Sequence, residues 1–169
     1  IRAAGISAHY NETLRGKTCP RTITPGFLML HTLAHLLIAQ LSFSCGYNTA
    51  SLSERIYYAE EAQEQMSGVF IYTASGDAEG TLGGLVRQGR ADTFPHILRQ
   101  ALRRATVCSN DPVCSTSNGQ GRDALNLAAC HACVLLPETC CEEGNTLLDR
   151  SMLIGTYEEP EIGFWRDFC

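Results

Sequence analysis

The chain has 169 residues, 44% of them apolar and 18% charged, which suits one folded domain with a sizeable core. Thirteen Lys and Arg against eighteen Asp and Glu leave a net charge of −5, which argues against indiscriminate polyanion binding while allowing a local basic face. Nine cysteines would suit a secreted disulfide protein, but the count is odd, no signal-like apolar stretch stands out, and a core of this size needs no staples. A reducing cytoplasm with metal-bound thiolates is the better reading.

Residues 1–25 mix small and polar side chains without clear periodicity, punctuated by Pro20 and Pro25, and read as a lead-in segment lying on the core. From Phe27 to Leu41, FLMLHTLAHLLIAQL is apolar almost all round. That predicts a helix buried on several sides, too short and too polar for a membrane span. His31 and His35, four residues apart, share one helical face. HxxxH can bind a metal, but Thr32 stands where the metzincin-type motif needs Glu, and no third ligand is obvious; hydrogen-bonded core histidines are the preferred reading. Gly46 is the expected helix stop.

SLSERIYYA (51–59) and GVFIYTA (68–74), rich in β-branched and aromatic residues, read as two strands. Glu54 and Arg55 lie inside the first, where a charged pair either bridges at an edge or faces a pocket. The glycine-rich stretch 75–90 follows a strand, as an anion-cradling turn would. It lacks the Lys-Ser/Thr of a P-loop, however, and Asp77 and Glu79 would repel phosphate, so it reads as a turn in which Gly83 and Gly84 allow close packing. ADTFPHILRQALRRATV (91–107) is an amphipathic helix, capped by Asp92 or Thr93 with Pro95 in its first turn. Ile97, Leu98, Ala101, Leu102 and Ala105 form its buried stripe. Arg99, Arg103 and Arg104 lie opposite, a solvated face by default and a phosphate- or partner-contacting face otherwise.

Six of the nine cysteines fall between Cys108 and Arg150: Cys108, Cys114, Cys130, Cys133, Cys140 and Cys141. Cys130 and Cys133 form a CxxC, the spacing that lets two thiolates of one tight turn face the same ion. A tetrahedral site needs a second pair, drawn from Cys108 or Cys114 upstream and Cys140 or Cys141 downstream. The alternative is a set of free thiols packed as small hydrophobes. Clustering beside Gly, Pro and Asn turns favours the metal site. No Ser-His-Asp order or nucleophile elbow stands out. Residues 151–169 begin as helix and end in an acidic, aromatic tail in which Trp165 and Phe168 are candidates to dock on the core or on a partner.

HTLAHLL, SLSERIYY, FIYTASGDAEGTLGGLV, CSNDPVC, ACHACVLLPETCCEEGN and LLDR follow one another in this order. Together they resemble the helicase-associated zinc-binding domain at the C-terminus of MrfA-type DNA-repair helicases, and within that family the DrmB branch of DISARM phage-defence systems. The resemblance covers about residues 26–150. It implies a structural, cysteine-ligated zinc beside a separate helicase engine. Carried over, Cys130 and Cys133 match the family's CxxC, and Cys141 its downstream cysteine. MrfA-like members place the first cysteine a few residues before the CxxC, where Leu125–Leu127 here offer none. The fourth ligand therefore comes from upstream, Cys114 first and Cys108 as its alternative.

These readings predict an α+β fold: a buried helix and small β-sheet with a zinc-stapled helical C-terminal part, including a helix over Leu125–Leu136. The expected divisions are a lead-in (1–25), the zinc-binding domain (26–150) and a C-terminal helix with acidic tail (151–169). Two functional classes follow. One is a non-catalytic structural-zinc module, accessory to a helicase or nuclease in phage defence or DNA repair, meeting its partner or DNA through Arg99, Arg103 and Arg104, with no membrane and no small-molecule substrate. The other is a hydrolase-like enzyme whose pocket draws on His31, His35, Glu54, Asp77 and Glu79.

Overall fold

The computed structural model describes residues 2–13, 22–61, 63–73 and 84–168. Everything is arranged around one helix, α2 (Pro25–Cys45). Its start is set by Thr24, whose hydroxyl accepts the Phe27 N–H at 3.3 Å, and by Pro25 in the first turn. Its end is set by Gly46, left-handed at φ 73°, whose N–H returns to Ser42 O at 3.0 Å. By length and composition α2 could cross a bilayer, but thirteen of its 21 residues are buried by the rest of the fold. The domain itself covers most of its apolar surface.

The expected strands form an antiparallel hairpin, β1 (Leu52–Ala59) with β2 (Met66–Thr73), pairing Leu52 with Thr73 through to Ala59 with Met66. Strand alternation turns Leu52, Glu54 and Ile56 inward and Arg55 outward, where it meets Glu142 at 3.2 Å. After the short α3 (Gly84–Gln88), α4 (Phe94–Ala105) lays Ile97, Ala101, Leu102 and Ala105 against α2, with Leu98 half-buried beside them. Arg99, Arg103 and Arg104 are exposed, as the periodicity predicts. Gly84 approaches Tyr47 closely; Asp77, Glu79 and Gly83 lie outside the described residues.

Two apolar clusters share α2. Its N-terminal half (Phe27, Leu28, Leu30, Ala34) packs with Ile56, Leu125, Leu127 and Leu147. Its C-terminal half (Leu33, Leu36, Leu37, Ile38, Leu41) packs with α4, Val134, Leu148 and Leu153. His31 and His35 sit where the two clusters meet along the helix.

Two parts differ from the sequence reading. Residues 2–13, read as an irregular lead-in, form helix α1 (Arg2–Thr13), which buries Ala3 and Ile6 and joins the buried Asp149 through Arg2 Nε at 2.7 Å. Such a helix needs only two buried side chains and one ion pair, too little for a periodic signature. The segment Leu125–Leu136, read as helix, is built from turns. Asp123 and Ala124 precede it with φ of 54° and 53°, and Asn126 spends its side chain on Asn145 O (2.7 Å) and Leu148 N–H (3.1 Å). The helical portions of the C-terminal part are α5 (Ser151–Ile154) and single 3-10 turns. Trp165 does pack on the core, its backbone N–H bonded to Leu153 O at 2.7 Å, while Phe168 is largely exposed.

Candidate metal centre

The chain leaving α4 winds through consecutive turns from Cys108 to Ser117, so Cys108 and Cys114 come to lie side by side. Residues 130–134 make a second tight turn in which the N–H groups of Cys133 and Val134 both reach Cys130 O, at 3.1 and 3.0 Å. This turn points the thiols of Cys130 and Cys133 at those of Cys108 and Cys114. The sulfurs are 3.6 Å apart for Cys108–Cys130, 3.7 Å for Cys130–Cys133 and 3.8 Å for Cys114–Cys133, and all four lie within 4.8 Å of one another. A disulfide would bring two sulfurs to about 2.0 Å. Four zinc–sulfur bonds of roughly 2.3 Å at tetrahedral angles separate sulfurs by about 3.8 Å. The spacing is that of ligands around an ion.

The surroundings suit thiolates. Asn110 donates its backbone N–H to Cys108 Sγ (3.4 Å) and its side-chain N–H to Cys130 Sγ (3.3 Å); the Cys130 N–H points to Cys133 Sγ (3.4 Å), and Gln120 donates to Cys114 Sγ (3.6 Å). Burial pushes the Cys130 thiol up, but the Ala132 N–H, Asn110 and Cys108 outweigh it and bring it to about 7. Once Cys130 is a thiolate its neighbours resist ionising: Cys114 is pushed to about 11 by burial and by Cys130, and Cys133 is raised as well, by burial and then by both. A divalent cation removes that repulsion, which is why four such thiols belong with one. Burial also opposes the Arg150 cation, but Asp111, Cys133 and Cys114 outweigh it and raise its pKa. Arg150 donates to Ala105 O at 2.7 Å and to both carboxylate oxygens of Asp111, bracing both ends of the loop that carries Cys108. Asp149, just ahead of α5 (Ser151–Ile154), accepts the Ser151 N–H at 3.1 Å as well as pairing with Arg2.

Of the sequence candidates, Cys114, Cys130, Cys133 and Cys108 are thus brought together. Cys141 is placed elsewhere. It leaves a 3-10 turn in extended conformation (φ −108°, ψ 126°), so adjacent side chains diverge. Cys140 donates its thiol to Thr49 O at 3.1 Å, and Cys141 turns toward α2. There its sulfur lies 3.1 Å from His31 Nε2, within a second group made of His31, His35, Glu54 and Cys141. The HxxxH pair and Glu54 were visible as candidates; Cys141 as their companion was not, because the contact spans 110 residues. Asn110 and Gln120, polar residues near the cysteines in sequence, supply N–H donors to sulfur, a role that spacing alone does not mark.

A small α+β domain closed around four convergent thiols is a structural metal-binding domain, and the donor set fits zinc. The chain belongs to the MrfA Zn-binding domain family, whose sequence model matches residues 33–134, a span that includes all four grouped cysteines. It is also 45% identical over 140 residues to the DISARM protein DrmB of Bacillus paralicheniformis. That match takes in 83% of this chain but 24% of the relative, so the chain spans about a quarter of the protein it resembles.

Proposed function

We propose that this chain is a non-catalytic module in which Cys108, Cys114, Cys130 and Cys133 hold a structural zinc, and that it serves a DNA-processing defence assembly in the cytoplasm by contacting a helicase partner, DNA or both. The observation that carries the reading is the sulfur spacing at four converging thiols. With four protein ligands the shell is closed, leaving no position for an activated water. The zinc's work is then to tie the turn after α4 to the Cys130–Val134 turn.

The exposed arginines of α4 are the contact face in this reading. Arg103 and Arg104 border a shallow cup with Phe43, which is 80% exposed, and the Arg104 guanidinium stands 5.8 Å from its ring centroid. An exposed aromatic ring beside guanidinium groups is suited to a nucleic-acid strand, the ring stacking on a base and the cations meeting phosphates. The test is Arg99→Glu, Arg103→Glu and Arg104→Glu in the full-length protein, measuring affinity for single- and double-stranded DNA and for the helicase partner across salt. DNA contact predicts weaker binding and a salt slope smaller by about one for each phosphate-bound arginine. Unchanged binding to both DNA and partner, with zinc retained, would contradict this use of the face.

A further inference from the structure

We propose that His31, His35, Glu54 and Cys141 hold a second structural zinc, inside the core and separate from the cysteine centre. The four donors come from α2, β1 and the loop after residue 140, and one ligand atom from each lies within 4.8 Å of the others. Glu54 Oε1 stands 3.0 Å from His31 Nε2 and 3.4 Å from His35 Nε2, and His31 Nε2 stands 3.1 Å from Cys141 Sγ. Tetrahedral zinc with bonds of roughly 2.0 Å to nitrogen or oxygen and 2.3 Å to sulfur separates such donors by about 3.3–3.6 Å, so seating the ion needs only a small opening.

The hydrogen bonds around the group orient it for an ion. Each imidazole has its Nδ1 3.1 Å from a backbone carbonyl, His31 at Leu147 O and His35 at Val134 O. A carbonyl only accepts, so both Nδ1 atoms must carry hydrogen, and in the neutral rings the Nε2 lone pairs face the centre. That is the arrangement by which metal-bound histidines are fixed. Cys141 Sγ accepts the Asn145 N–H at 3.2 Å, as a ligating thiolate does. What remains is unsatisfied: among the described residues His35 Nε2 and both carboxylate oxygens of Glu54 are buried with no hydrogen-bond partner, although their neighbours are close. The side chains of His31, His35 and Glu54 are fully buried. Close but misaligned polar atoms in a dry core are costly on their own and become ligands if a cation sits among them.

Charge and access point the same way. A 2+ ion with one carboxylate, one thiolate and two neutral imidazoles is a formally neutral centre, which a core can hold without a counter-ion. With all four positions taken by buried protein ligands, neither water nor substrate is admitted, so the convergence of His31, His35 and Glu54 serves structure and not hydrolysis.

The test is metal analysis of the full-length protein purified with the metal it carries, followed by zinc-edge X-ray absorption. Wild type should hold about two zinc ions per chain with an average of about 2.5 sulfur ligands per zinc. Glu54→Gln and Cys141→Ala should each lose one, leaving a shell of about four sulfurs, whereas Cys133→Ser should lose the other and leave about one sulfur with nitrogen and oxygen. One zinc per chain with a four-sulfur shell, unchanged by Glu54→Gln and Cys141→Ala, would overturn the proposal. Zinc that survives Cys133→Ser but is lost with Glu54→Gln would keep this site and remove the cysteine centre instead. If a core variant fails to fold, the wild-type sulfur count alone decides.

Discussion

The two donor groups of this small domain stand on neighbouring backbone yet solve different problems. The four cysteines are spread over 26 positions of one segment (108–133), and two of them, Cys130 and Cys133, are half-buried. Four thiolates around a 2+ ion carry two negative charges in excess, and the fold answers with N–H donors to sulfur and the Arg150 cation. His31, His35, Glu54 and Cys141 are drawn from three distant segments, are all buried, and in the proposed site form a neutral centre with no cation of their own. Net charge decides how deep a metal site can lie. The groups also share a strut: Val134 follows Cys133 of the cysteine group, and its carbonyl faces His35 Nδ1.

Losing a cysteine ligand should have the largest effect. Cys130→Ser should destabilise the protein by more than about 4 kcal/mol, the scale of a lost structural metal. Hydrogen exchange should rise first across residues 108–150, and protection left intact there would show that the zinc is not the staple.

Arg150→Met should cost about 2–4 kcal/mol in denaturant melts, because it leaves Asp111 unpaired and the thiolate centre without its cation. A cost below about 0.5 kcal/mol would mean that the excess charge is compensated elsewhere.

A chelator challenge sharpens the contrast in depth. Zinc should leave in two phases, the half-buried cysteine centre first and the core centre only on global opening. One phase, or release in reverse order, would break the assignment of burial to site.

The smallest effect on stability should come from Arg99→Glu, Arg103→Glu and Arg104→Glu. These exposed positions should shift it by no more than about 0.5 kcal/mol in thermal melts while altering binding. A larger loss would make the arginine face structural.

What the sequence reveals follows how local each feature is. The buried helix, the hairpin and the amphipathic α4 repeat their signal every two to four residues, and Gly46 marks the end of α2; the start at Thr24 and Pro25, two residues ahead of the apolar run, carries no such repeat. The CxxC turn is equally local. The partition of the remaining cysteines is not: Cys108 and Cys141 are both plausible companions on spacing, and only the extended backbone at Cys141 and its packing against α2 separate them. Leu125–Leu136 looks helical by composition, but its hydrogen bonds go to Asn126, Asn145 and the ligand turn, which no periodicity records.

The most direct measurement of the central claim is the zinc content of Cys108→Ser beside wild type, by native mass spectrometry of the full-length protein. The account predicts that one zinc is lost with Cys108, because its sulfur stands 3.6 Å from Cys130 in the cysteine centre. Full zinc retention in Cys108→Ser, with Cys141→Ala instead emptying the site of Cys130 and Cys133, would contradict it.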